Sequence, residues 1–138
     1  MRRQYALVAG AHRLAAAKKL GWSEIPCLTL YDEPDEQARL WEIAENLHRA
    51  ELTALERSEL ISEWIGLTDK VGQLAPPLGG IQPNDKGVRR AVRELGIERT
   101  EARRSDKIAG LSPEAKAAAR EVGLDDNQSA LLTAAHVD

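Results

Sequence analysis

Apolar positions along this chain recur first with a strand-like and then with a helical period, and the change of period divides it. Residues 4–9, Gln-Tyr-Ala-Leu-Val-Ala, form a short apolar run that predicts a buried strand closed by Gly10. Ala11 to Leu20 reads as a helix rich in Ala and Lys that stops at Gly21. A second strand is predicted from Ile25 to Tyr31, ended by the acidic turn Asp32-Glu33-Pro34-Asp35. Beyond it Leu40, Ile43, Ala44 and Leu47 recur at i, i+3, i+4 and i+7, which predicts an amphipathic helix over 35–48. Two strands alternating with two helices amount to α/β organisation. A strand opening the chain so close to Met1 lacks an upstream partner, so the module is expected to be truncated and the natural domain to begin earlier.

From Thr53 onward the period is helical. Thr53 with Glu56 is a capping-box pattern, and Leu60, Ile61, Trp64 and Ile65 supply the apolar stripe of the helix behind it. Residues 69–86 break the pattern with Pro76-Pro77, Gly79-Gly80 and Pro83-Asn84-Asp85, and are read as an exposed loop or linker. Helices are predicted over 87–95, 98–110, 113–122 and 126–135. Ser112-Pro113-Glu114 starts the third of these, with Ser as cap, Pro at the first position and an acid at the positive end of the dipole; Gly123 ends it. The expected fold is therefore α+β and mostly helical. It consists of a small truncated α/β N-terminal module over residues 1–50, then an all-α region over 51–138 with a helix-turn-helix at 87–111.

That pair of helices carries the first candidate site. Val88, Ala91, Val92 and Leu95 form the inner face of its first helix, Gly96 makes the turn and Ile97 fills the corner. Ala102, Ile108 and Ala109 are the inner positions of the second helix. Its outer side carries Arg99, Thr100, Arg103, Arg104 and Lys107. In such motifs the start of the second helix reaches base edges in the major groove while flanking groups hold phosphates. Arg99 and Arg103, four apart, share a face and suit bidentate contacts to guanine. Arg89, Arg90 and Arg93 on the first helix suit phosphate contacts. The acids interspersed among them, Glu94, Glu98 and Glu101, are equally what a solvated, salt-bridged helical face contains, and Glu98 and Glu101 would repel phosphate.

Charge distribution bears on this reading more than net charge does. The formal total is −3, yet residues 1–22 carry +5, 23–63 carry −8, 87–120 carry +4 and 121–138 carry −4. An anionic partner meets the local field, and two basic blocks are available to it. Composition excludes other classes. The chain is 43% hydrophobic, too apolar for a disordered segment, and no run approaches the roughly 20 apolar residues of a membrane span. One cysteine, Cys27, cannot form an internal disulfide, which accords with a cytoplasmic protein. His12, His48 and His136 are too scattered for zinc-ligand spacing.

A second constellation lies near the start. Gly10-Ala11-His12-Arg13 stands where a predicted strand becomes a helix, a junction that presents backbone N–H groups and the positive dipole end to an anion. Glu45-Asn46-Leu47-His48-Arg49 gathers a carboxylate, an amide and a guanidinium, and the first two suit Mg²⁺ bound together with phosphates.

The order of these pieces resembles the ParB family of partition proteins. Gly10-Ala11-His12-Arg13-Leu14-Ala15-Ala16-Ala17 is similar to its Gly-x-(Arg/His)-Arg-x-x-Ala box, and Glu45-Asn46-Leu47-His48-Arg49-Ala50-Glu51-Leu52 to its Glu-Asn-x-x-Arg-x-x-Leu box. Leu95-Gly96-Ile97 with Arg99-Thr100, and Leu111-Ser112-Pro113-Glu114, resemble its central DNA-binding region. The resemblance implies sequence-specific binding of double-stranded DNA in plasmid or chromosome partition, at the nucleoid or a plasmid. It implies a homodimer in the full-length protein, a partition ATPase as partner, DNA binding that requires no cofactor, and an N-terminal module that binds CTP with Mg²⁺ and in some members hydrolyses it slowly. By position, Gly10, His12 and Arg13 would meet phosphates, Glu45 and Asn46 would sit beside the metal, and Arg49 would support them. The resemblance allows two other forms: a CTP-hydrolysing DNA-clamp switch enzyme for which DNA is the trigger, and a phage- or plasmid-borne regulator that kept the helix pair and lost the nucleotide chemistry. Three departures stand out: His12 replaces the commoner arginine, Glu98 occupies a position where a small hydroxyl cap is common, and the loop at 73–87 is long. Sulfiredoxins share the fold family, but Ala11 occupies the position of their reactive cysteine, which removes the nucleophile.

Overall fold

The computed structural model describes residues 5–29, 35–74 and 87–137. Seven helices order them: α1 (Ala11–Lys19), α2 (Asp35–Leu47), α3 (Ala54–Leu74), α4 (Val88–Leu95), α5 (Arg99–Ala109), α6 (Pro113–Glu121) and α7 (Gln128–Ala134). Their ends follow the local chemistry of the sequence. Thr53 and Glu56 form the expected capping box: the Thr53 amide donates to Glu56 Oε2 at 3.0 Å and the Glu56 amide to Thr53 Oγ1 at 3.2 Å. Ser112 Oγ accepts from the Ala115 amide at 3.3 Å with Pro113 at the first turn of α6. Paired C-terminal bonds close α1 before Trp22 and α6 before Leu124. The break predicted at residue 69 lies too early, because α3 continues to Leu74; residues 75–86 of that loop lie outside the described residues.

The two predicted strands do not form among the described residues; residues 4, 30 and 31 of those predictions lie outside them. Among the described residues neither 5–9 nor 25–29 is a strand, and every regular element is helical. The expected α/β module, and with it the α+β class, is corrected to an all-helical arrangement. A strand exists only through a neighbouring backbone that completes its ladder, and a short apolar run carries no information about that neighbour. Here the apolar side chains of both runs reach solvent: Tyr5 is 64% exposed, Leu7 57% and Leu28 80%.

α3 organises the rest. Leu55, Ser58, Ile61, Ile65 and Thr68, three or four apart, form one buried row along it. At its start Leu55 joins Ile108 from the end of α5, Leu111 from the link to α6 and Leu131 of α7, with Ala115 and Ala119 of α6 packed alongside. Further along, Ile61 and Ile65 join Ala91 of α4 and Ala102 of α5, with Trp64, Val88, Val92, Leu95 and Ile97 around them. The buried hydroxyls on this row are satisfied within the helix: Ser58 Oγ donates to the Ala54 carbonyl at 2.7 Å and Thr68 Oγ1 to that of Trp64 at 2.9 Å. Leu60 and Trp64, expected in the buried stripe, are only half-buried.

α2 lies against another side of α3. Leu40 and Ile43 are its buried residues. Arg39 of α2 donates to both oxygens of Glu63 on α3, Nε–Oε1 at 2.6 Å and Nη2–Oε2 at 2.8 Å, and reaches Glu42 at 2.8 Å. The two parallel bonds hold the Glu63 carboxyl below its ordinary value against a smaller opposing effect of burial, and hold the Arg39 guanidinium above its own. Both side chains remain more than a third exposed, so water screens the pair. The loop before α7 caps α3: Asp126 Oδ1 accepts from the Ala54 amide at 3.0 Å and the Asp125 carbonyl from the Leu55 amide at 2.8 Å. Among the described residues no helix is long and apolar enough to cross a membrane.

Two outcomes follow from this packing. Ile108→Ala, which empties a fully buried position where α5, α3 and α7 meet, lowers the unfolding free energy by about 2–5 kcal/mol in urea titration. Arg39→Met is less stable than the parent at pH 7, and the gap narrows on acidification. Because Glu63 is depressed in the fold, the pair contributes fully above the carboxyl's ordinary value of 4.5 and is lost as pH falls through its folded-state value. Urea midpoints of both proteins at pH 7 and pH 3 measure this; a gap that widens at pH 3 contradicts it.

Candidate nucleic-acid interface

α4 and α5 are joined by Gly96, whose φ of 65° and ψ of 26° lie in the left-handed region. A side chain there would meet no atom within 4 Å, so the requirement for glycine comes from the backbone, not from space. Ile97, half-buried, packs from the turn into the cluster around Ile61.

Three residues of α5 face inward: Ala102, Ser105 and Ile108. All five predicted cations and hydroxyls of the outer side, Arg99, Thr100, Arg103, Arg104 and Lys107, are exposed. Arg99, Arg103 and Lys107 succeed one another at intervals of four and form a row opposite the buried seam. Thr100 and Arg104 border an open groove of about 600 Å³, together with Leu52, Arg57, Asp126 and Gln128. On α4, Arg89 and Arg93 are exposed, whereas Arg90 donates to Glu94 Oε1 at 2.7 Å and lies 3.4 Å from the Thr68 carbonyl.

Three acids on these two helices have partners on α3 that the linear pattern does not reveal. Glu101 Oε1 accepts from Arg57 of α3, at 3.0 Å from Nε and 2.9 Å from Nη2. Asp106 Oδ1 accepts from Ser62 Oγ, also on α3, at 2.8 Å. Glu94 accepts from Trp64 Nε1 at 3.2 Å in addition to Arg90. The charge of Glu101, read from sequence as repulsive to phosphate, is therefore offset by Arg57. Glu98 is the N-cap of α5, is exposed, and makes no side-chain cap bond. Arg57 and Ser62 are the residues that sequence reasoning missed. Each stands 44 positions from its partner, and no spacing rule connects them.

The N-terminal boxes also meet. The Gly10 amide, at the start of α1, donates to Glu45 Oε2 of α2 at 2.7 Å. Gly10 has φ 90°, and a Cβ built there would lie 3.5 Å from the Arg13 guanidinium, which folds back over the loop. The structure thus brings Gly10, Arg13 and Glu45 together. His12 and Arg49 are exposed and Asn46 half-buried, outside that contact; the Asn46 carbonyl accepts from the Arg49 amide at 3.0 Å. Among the described residues no group of three or more His, Cys, Asp or Glu is arranged to hold a metal ion.

Comparison with known proteins finds relatives over part of the chain. A nucleoid occlusion protein of Geobacillus thermodenitrificans is 36% identical over 77 residues, which is 55% of this chain and 27% of the relative. One of Lysinibacillus sphaericus is 40% identical over 77 residues, 55% of this chain and 26% of the relative. One of Bacillus cereus is 38% identical over 64 residues, 46% of this chain and 22% of the relative. The matched part is about a quarter of the length of these relatives. This likeness supports a relationship to the ParB family. No family model matches the chain, and no solved structure matches it.

Proposed function

We propose that this chain is a DNA-binding module of the ParB type, reading duplex DNA with α5 and gripping phosphates with α4, in chromosome or plasmid partition. The observation that carries the reading is the exposed row Arg99, Arg103 and Lys107 directly opposite the seam that packs α5 on α3. A helix supported along one side and cationic along the other can enter a major groove about 12 Å wide. Likeness to nucleoid occlusion proteins supports the same class of function. Pairing of Glu101 with Arg57 favours it further, because one of the two charges that would oppose a phosphate is balanced locally.

Selection from a random duplex pool tests this. We expect a defined sequence to be enriched. Arg103→Ala and Arg99→Ala should weaken binding to that sequence by roughly 5- to 150-fold, the equivalent of one good base contact, and random DNA much less. Arg89→Ala should weaken both alike and lower the salt slope by about one. Equal losses on every sequence for Arg99 and Arg103 would show that the base-reading face is elsewhere.

A nucleotide site is the second reading, favoured by the contact between Gly10 and Glu45. The residues fit the phosphate end of a nucleotide: a left-handed glycine at a helix start, a guanidinium folded over it, and one carboxylate beside it. Gly10 and Arg13 would hold the phosphates of CTP. Glu45 with Asn46 would face an accompanying Mg²⁺, which would neutralise charge between them. Glu45 now occupies the amide that a phosphate would take, so it must turn away from Gly10 when the nucleotide binds. Equilibrium dialysis with labelled CTP and Mg²⁺ should give saturable binding that Arg13→Ala reduces at least tenfold; absence of binding to the parent chain removes this reading.

A further inference from the structure

A recognition helix works only if it is held at one rotation about its axis, and α5 has little apolar surface with which to do so. Its buried seam is Ala102, Ser105 and Ile108, of which only Ile108 is large. At a helix radius of about 5–6 Å, with arginine tips reaching farther out, a roll of only about 20° moves those tips by roughly 3 Å, enough to lose a hydrogen bond to a base edge. Two polar contacts flank the seam. Glu101 is bound by two donors of Arg57, and Asp106 accepts from Ser62, so that both pins stand on α3.

We infer that Arg57 and Glu101 are positioning residues for base recognition, fixing the roll of α5 so that Arg99, Arg103 and Lys107 meet the groove in register. This rests on the proposed DNA reading and deepens it. Glu101 is the stronger of the two pins because both donors of a rigid guanidinium converge on one oxygen, which defines a direction as well as a distance. Arg57 is itself restrained. Its third nitrogen lies 3.5 Å from the Leu47 carbonyl at the end of α2. The capping box of Thr53 and Glu56 and the Asp126 bond hold the first turn of α3 on which Arg57 stands. The acid thus gives α5 a fixed orientation at the cost of a negative charge near DNA, and that charge is neutralised by the group that holds it. A pair this exposed adds little to folding stability, so its effect should appear in discrimination between sequences instead.

The test compares parent, Arg57→Met, Glu101→Gln and Arg57→Met/Glu101→Gln chains on the duplex enriched from the random pool and on a scrambled duplex of equal length. We expect each single variant to lose roughly tenfold in the ratio of the two affinities. Affinity for the scrambled duplex should change less than about threefold, and thermal midpoints by only a few degrees. The double variant should lose no more than the worse single one, because the two residues form one device. Arg57→Lys, which keeps the charge and loses the fork, should recover only part of the ratio. Arg103→Ala in the same assay separates the two levels of the argument. If Arg103→Ala spares the ratio, the DNA reading fails. If Arg103→Ala lowers it while Glu101→Gln leaves it within twofold of the parent, the positioning role is overturned and the DNA reading stands. Should Arg57→Met fail to fold, Glu101→Gln, which is isosteric, carries the test alone.

Discussion

Leu55, Ile61 and Ile65 lie along one side of α3, and burying that row brings α4, α5 and α7 onto a common support. Each of those helices is short, between seven and eleven residues, and too short to persist alone in water. The 21 residues of α3 supply the longest helical surface among the described residues. Burial there acts on all three together: the cluster at Leu55 takes the end of α5 and α7, and the cluster at Ile61 takes α4 and the start of α5. The cationic row of α5 faces outward as a consequence, because the opposite side is held inside.

Polar contacts then refine what apolar packing leaves loose. Arg57 with Glu101 and Ser62 with Asp106 link α3 to α5; Asp69 accepts from the Gly87 amide at 2.6 Å where α4 begins; Glu59 pairs with Lys116 and Arg120 of α6. Each is partly exposed and contributes modestly to stability. Their significance is geometric, since a seam of small residues permits sliding that a directed bond does not. Glu94, Glu101 and Asp106 on the basic helices are explained in this way. They are attachments to α3 as well as charges.

The N-terminal region shows the same logic with a different outcome. Gly10 and Glu45 meet through one hydrogen bond, while Tyr5, Leu7, Trp22 and Leu28 keep large exposed surfaces. α1 buries only Ala17, and α2 is held by Leu40, Ile43 and the Arg39 fork. The hydrogen bond from the Gly10 amide to Glu45 juxtaposes the two boxes, and among the described residues no strand lies beside them.

Much of this architecture could be read from the linear chain because its determinants are local. Helix starts at Thr53 and Ser112, the stops at Gly21 and Gly123, the turn at Gly96 and the outward side of Arg99, Arg103 and Lys107 depend on residues within one or two turns. The sequence by itself determined which segments are helices and which side of α5 carries charge. Whether the apolar runs at 5–9 and 25–29 become strands was decided by tertiary structure, since a ladder needs a second backbone whose position no run of side chains encodes. Tertiary structure also decided that Glu101 is held and neutralised by Arg57, and that Glu45 reaches Gly10. Such pairs join groups 35 and 44 positions apart, and only the packing of separate helices, α2 beside α1 in one case and α3 on α5 in the other, brings them within bonding distance.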